Sequence, residues 1–148
     1  TGNDMANNST FESRTGTVKC TPAEIFGFVT DIRNFEQFVP EKAGISEMNV
    51  EKESCSFKIE SIGRINVHIS ERQPLNKVVF NGTLFQTNDF SLSMDIAENN
   101  SGTADVVIKV SSDLNPLLKM MVSGPVQNFL ARMIDEMEKF DGWTKVSE

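Results

Sequence analysis

The stretch Thr21-Pro22-Ala23-Glu24-Ile25-Phe26-Gly27-Phe28-Val29-Thr30-Asp31-Ile32-Arg33-Asn34-Phe35 decides the fold, because it sets two helix starts between regions that read as strand. Thr21 is placed to cap a helix, Pro22 suits the first helical position because its missing N–H would be unpaired there, and Glu24 completes a capping box. Ile25, Phe28 and Val29 then fall on one apolar face. Asp31 is placed to cap a second short helix carrying Ile32, Phe35 and Phe38, which Pro40 halts.

On the N-terminal side, Phe11 to Cys20 alternates in the manner of a strand and is rich in β-branched residues. Ahead of it, Thr1 to Thr10 is polar with only Met5 as a large apolar side chain, so residues 1–10 are expected to be disordered. Thr1-Gly2-Asn3-Asp4 reads as a non-native leader, with Met5 the natural start.

On the C-terminal side, the pattern from Ile45 to Asp113 is that of six strands separated by turn residues. Met48 and Val50 mark the first. Cys55, Phe57 and Ile59 alternate with Ser56, Lys58 and Glu60 in the second, which turns at Gly63 into a partner carrying Ile65, Val67 and Ile69. Gln73-Pro74-Leu75-Asn76 interrupts, and Val78, Val79, Phe80 and Leu84 form a strand. Phe90, Leu92, Met94 and Ile96 alternate with Ser91, Ser93 and Asp95. Asn99-Asn100-Ser101-Gly102 turns the chain into Ala104, Val106, Ile108 and Val110. One apolar and one wet face per strand is the pattern of an antiparallel sheet covered on one side.

Asn115 and Pro116 then open a helix, with apolar residues at helical spacing from Leu117 and Leu118 through Met121, Val122, Val126, Phe129, Leu130, Met133, Ile134, Met137 and Phe140. Gly124-Pro125 should divide it into a short helix and a main one from about Pro125 to Phe140, because proline removes a hydrogen bond and collides with the preceding turn. Residues 143–148 are expected to fray.

The order of one strand, two short helices, six strands and a long helix resembles the START-like (SRPBCC) superfamily, which includes polyketide cyclase/dehydrases and lipid-transfer domains. Thr21-Pro22-Ala23-Glu24 with the later Asp31 and Phe35 is similar to that family's opening, and Asn115-Pro116-Leu117-Leu118 with the helix after it is similar to its close. The resemblance implies an α+β helix-grip domain over residues 11–142, a seven-stranded curved antiparallel sheet packed on a kinked C-terminal helix. It also implies an apolar hollow between the two.

Composition narrows the function. At 148 residues the chain suits one domain with a real core. The net charge of −7, with 14 Lys and Arg scattered rather than clustered, disfavours nucleic acid and anionic lipid surfaces. No apolar run reaches the ~18–20 residues of a membrane span and no secretory signal stands at the start, so a cytoplasmic location is expected. Cys20 and Cys55 have no companion ligands at metal spacing and read as reduced, buried thiols.

Catalytic types are sparse. His68 is the only histidine, and alternation sets it with Asn66 and Ser70 on the wet face. Glu60 and Asp95 alternate with apolar neighbours and fall on that face too. Ser61, Ser91 and Ser93 have no histidine on their own stretches, and no G-x-S-x-G motif occurs. No metal, cofactor or catalytic residue is assigned. The chain has no tyrosine, one of the polar types that cyclases of this superfamily use in the cavity.

The leading expectation is a binding or carrier domain for a small hydrophobic or amphipathic ligand. Its hollow would be lined by Phe57, Ile59, Ile65, Val67, Leu92, Met94, Ile108, Met121, Phe129 and Met133. Methionines on the C-terminal helix suit a wall that adapts to varied apolar shapes, as they suit ordinary core filling. A polyketide cyclase/dehydratase-like enzyme is the alternative, and a protein-interaction module that docks a client or chaperone is the second. Oligomeric state is open.

Overall fold

The computed structural model describes residues 8–37, 45–60, 63–74, 76–84, 88–99, 102–140 and 143. The chain begins with strands β1 (Asn8–Glu12) and β2 (Gly16–Val18), helix α1 (Pro22–Val29) and a 3-10 helix (Ile32–Gln37). Strands β3 (Ile45–Val50), β4 (Ser54–Ile59), β5 (Gly63–Gln73), β6 (Lys77–Leu84), β7 (Asn88–Glu98) and β8 (Ala104–Asp113) follow, and helix α2 (Pro116–Lys139) closes the fold. The sheet is antiparallel in the order β1-β8-β7-β6-β5-β4-β3, with β2 also pairing β8.

The expected single first strand is two, and β1 starts at Asn8, inside the span expected to be disordered. Phe11 and Ser13 are buried, but the next buried positions are Gly16, Val18 and Cys20, so an extra residue flips the alternation. Ser13 makes the flip affordable to the backbone. Its N–H donates to the Ile108 carbonyl and its hydroxyl accepts the Ile108 N–H, both at 2.9 Å, so a side chain replaces one rung of the ladder.

The capping box of α1 is formed as its residues predict: Thr21 Oγ1 accepts the Glu24 N–H at 3.2 Å, and Glu24 Oε1 accepts the Thr21 N–H at 2.9 Å. Ile25, Phe28 and Val29 face the core. Asp31 accepts the Arg33 N–H and a two-point pair from its guanidinium, which holds the carboxyl below its usual range and ties off the turn into the 3-10 helix. Phe38 and Pro40 lie outside the described residues.

Helix α2 is not divided at Gly124-Pro125; it is helical without a break from Pro116 to Lys139, with Asn115 as its cap accepting the Leu118 N–H at 2.9 Å. Proline forbids one intrahelical bond, and its ring crowds the carbonyl four residues back. Neither obliges the helix to end when one face is held by packing. That face, Val122, Leu130, Met133, Ile134 and Met137, is buried.

Helix α2 lies against β1 and β2, and two devices bring it close. A Cβ on Gly16 would stand 2.7 Å from Ile134 Cγ2, so only glycine admits the helix at this depth. Glu138 accepts the Thr17 N–H at 2.9 Å and pairs with Arg14 at 2.7 Å, while Arg14 also reaches Asp135 at 2.6 Å. These bonds hold the Glu138 carboxyl below its ordinary value, the Arg14 hydrogen bond first and the Thr17 N–H second. A depressed folded-state value stabilises above the unfolded carboxylate value near ~4.3, and the gain is lost as pH falls through the folded value. Glu138→Gln is therefore expected to cost about 0.5–1 kcal/mol at pH 7, less in high salt, and nothing once both states are protonated. Urea titrations from pH 7 down to pH 3 measure the convergence.

The C-terminal end is also anchored. Trp143, inside the span expected to fray, is 2% exposed and donates its indole N–H to the Phe140 carbonyl at 3.1 Å. Its ring meets Phe28 and Phe140 with centroids 5.0 Å away in each case. A large apolar ring with a neighbouring aromatic pair to cover it gains from leaving water.

Candidate functional site

The buried face of the sheet is not completely filled. Between β3–β8, the 3-10 helix and the middle of α2 lies a cavity of about 150 Å3. It is lined by Ile32, Ile45, Met48, Val50, Cys55, Phe57, Ile65, Val67, Phe80, Phe90, Leu92, Met94, Ile108, Val110, Val126, Phe129 and Met133. Ile65, Phe80, Phe90, Met94, Ile108, Val110 and Met133 are buried, whereas Ile45, Met48, Val50, Phe57, Val67, Leu92, Val126 and Phe129 keep partial exposure. These partly exposed walls come from β3, β4, β5, β7 and α2.

Strand alternation builds most of this wall, and a bulge supplies the rest. Ser46 pairs with Lys58 and Asn49 with Ser56, so Glu47 and Met48 together oppose Phe57. Glu47 takes the left-handed conformation, φ 50°, and its carboxylate is held outside by Arg64 at 2.7 Å and Lys58 at 3.9 Å. Met48, the other bulge residue, lines the cavity.

Of the residues assigned to the hollow from sequence, Phe57, Ile65, Val67, Leu92, Met94, Ile108, Phe129 and Met133 line the cavity. Ile59 and Met121 do not. Ile59 packs on the core near the end of β4, and Met121 is 51% exposed on the first turns of α2, beside Met120 and Leu117. Unbroken helix explains Met121: without a new start at Pro125, the face that meets the sheet passes through Val122, Val126, Phe129 and Met133. Sequence reasoning missed Ile32, Ile45, Met48, Val50, Cys55, Phe80, Phe90, Val110 and Val126. Alternation on β6 and β8 could have found Phe80 and Val110; nothing local announces the bulge that turns Met48 inward.

The site's chemistry is spare. Among the described residues of the wall, the Cys55 thiol is the one ionisable group, and no other hydrogen-bonding side chain lines the cavity. Burial pushes the Cys55 thiol up to about 11, and burial followed by the nearby Glu24 charge pushes the Cys20 thiol up to about 12. Both thiols are unpaired. A raised value leaves about one Cys55 in a thousand ionised near pH 8, and the thiolate is the reactive form. A disulfide-exchange reagent is expected to reach the buried Cys20 only after denaturation, and the half-buried Cys55 of the folded protein more slowly than a free thiol at pH 7.5; a native-state phase at the free-thiol rate would contradict its raised value.

The polar residues weighed as acids or bases stand elsewhere. Glu60 and His68 are exposed, Arg64 is paired with Glu47, and Asp95 is bridged by Lys77 at 3.4 Å and Lys109 at 3.7 Å. A second, open hollow of about 520 Å3 near β3, β4 and β5 is bordered by Asn49, Glu51, Ser54, Ser56, Asn66 and His68, and shares Val50, Cys55 and Val67 with the first. Among the described residues no group of three or more His, Cys, Asp or Glu is arranged to hold a metal ion.

No protein-family model matches the chain, and no curated protein matches it. Solved structures do. The truncated norcoclaurine synthase from Thalictrum flavum aligns at TM-score 0.66 and 7% identity, over 89% of this chain and 92% of that one. The Zhui aromatase/cyclase from Streptomyces sp. R1128 aligns at TM-score 0.63 and 12% identity, over 89% and 94%. A protein from Thermobifida fusca solved by NMR aligns at TM-score 0.65 and 11% identity, over 94% and 97%. At these identities the likeness is one of fold.

Proposed function

From the helix-grip fold of START-like proteins as premise, we propose that this chain is a binding or carrier domain for a small apolar molecule held between the sheet and α2. One observation carries the reading: the described wall of the cavity is aliphatic, aromatic and thioether side chains with one thiol, and Glu60, Arg64, His68 and Asp95 lie outside it. Proton transfer needs a donor or acceptor within hydrogen-bond reach of the reacting atom. Among its described residues the cavity wall offers none at neutral pH, which weighs against a cyclase-like activity for this site. Two unpaired thiols accord with a reducing, cytoplasmic location, which forms part of the same reading. Among the described residues no helix is long and apolar enough to cross a membrane.

The test is uptake of an environment-sensitive apolar dye by the native protein, together with mass spectrometry of what organic solvent extracts from it. Saturable uptake at one site is expected, and Val67→Phe, which projects a ring into the cavity, should weaken it at least ~10-fold while leaving the fold cooperative. Dye uptake that is unaffected by Val67→Phe in a cooperatively folded variant would place binding elsewhere and remove the proposal's basis.

A further inference from the structure

We propose that the cavity is selective for uncharged aromatic ligands of about one ring, and excludes ionised groups whatever hydrocarbon they carry. This rests on the binding reading above and narrows it. Four features of the wall support it, each with a different physical origin.

The first is the absence of any partner for a charge. Among the described residues no charged, hydroxyl or amide side chain lines the cavity, and no buried side-chain polar atom lacks a hydrogen-bond partner and so awaits one. The second is that the backbone is already engaged. Strands β4, β5, β6, β7 and β8 are each paired on both sides, so their N–H and C=O groups point along the sheet into neighbouring strands. A ligand lying on the sheet's inner face meets side chains only. A carboxylate or phosphate drawn inside would lose its water and gain nothing in return.

The third feature is the kind of apolar surface. Phe57, Phe80, Phe90 and Phe129 present rings from three strands and the helix, and Met94 and Met133 add thioethers from opposite walls. Ring edges and polarizable sulfur both favour a π face over a saturated chain. The fourth is size. About 150 Å3 is the volume at which a dry apolar cavity accepts a benzene-sized guest, and it is small for a long acyl chain or a fused polycycle. The net charge of −7 adds a general repulsion of anions.

Methionine methyl groups report on this directly, because Met48, Met94 and Met133 line the cavity whereas Met120 is 77% exposed on α2. The full chain, labelled with 13C at the methionine methyls, would be titrated with ethylbenzene, its matched anion 3-phenylpropionate, and hexane. Ethylbenzene is expected to shift the methyls of Met94 and Met133 and leave that of Met120 unmoved. 3-Phenylpropionate should bind at least ~100-fold more weakly, the consequence of burying an unpaired charge. Hexane should bind a few-fold more weakly than ethylbenzene.

The outcomes separate the two levels of argument. No shift of the cavity methyls with any probe would overturn the binding reading and this inference with it. Anion binding within ~10-fold of ethylbenzene would overturn charge exclusion while the binding reading stands, and hexane equal to ethylbenzene would overturn the aromatic preference alone.

Discussion

Replacing Gly82 with alanine is expected to destabilise the protein by about 3 kcal/mol or more, enough to leave little folded material in mild urea. Gly82 pairs with Val67 on one side and with Phe90 on the other, in the middle of the sheet. A Cβ there would fall well inside contact distance of the Asn66 carbonyl oxygen and 2.9 Å from Cε1 and Cζ of Phe90. The Phe90 ring thus lies across the gap the glycine leaves, a cross-strand arrangement that offsets the missing side chain. A flexible tip could yield, but the carbonyl belongs to a strand paired on both sides and cannot move without breaking register. Denaturant midpoints of wild type and Gly82→Ala measure the cost; a loss under 1 kcal/mol would show that β5 and β6 are not packed this closely. Phe90 also lines the cavity, so any folded Gly82→Ala protein should show altered ligand uptake as well.

Trp143→Ala should cost about 3–5 kcal/mol, the range for removing a fully buried large aromatic. The indole closes a three-ring cluster with Phe28 of α1 and Phe140 just after α2. Trp143→Phe should restore more than half of the loss, because most of the contribution is apolar burial and only one hydrogen bond, to the Phe140 carbonyl, goes with the indole N–H. Since Trp143 is the only tryptophan, its emission reports the cluster in the parent protein. A blue-shifted native spectrum that moves red in one step with global unfolding is expected. An emission maximum at the solvent-exposed position in the native state would contradict the burial.

Both positions show what pattern reading finds and what it misses. The capping box at Thr21 and Glu24, the alternation of β4 to β8 and the cap at Asn115 are local rules, so they could be read without knowing what lies opposite. The same alternation placed His68, Asn66 and Ser70 on the exposed face, where the structure has them. Gly82 gives no such signal: in sequence it is only a glycine inside a strand pattern, and its role depends on a carbonyl and a ring from two other strands. Trp143 is likewise a lone aromatic beyond the last helical turn, without a periodic partner to announce its burial.

The cavity divides the same way. Which strand residues face inward follows from the two-residue period of the chain, so Phe57, Ile65, Val67, Leu92, Met94 and Ile108 were open to inference. Where that period slips was not. The flip at Ser13 and the bulge at Glu47 and Met48 are stabilised by long-range partners, Ile108 for one and Arg64 and Lys58 for the other. Proline's local veto likewise misled at Gly124-Pro125, since the packing of Val122, Leu130, Met133 and Ile134 keeps α2 whole and turns Met121 outward.

The sequence by itself therefore determined the succession of elements from α1 to β8, the two-faced character of the sheet and the scarcity of catalytic residue types, because each depends on spacing and residue type along the chain. Only the tertiary structure decided the phase of β1 and β2, the continuity of α2, the anchoring of Trp143 and the membership and size of the cavity. Those depend on how closely surfaces distant in sequence approach one another, and no local period encodes that distance.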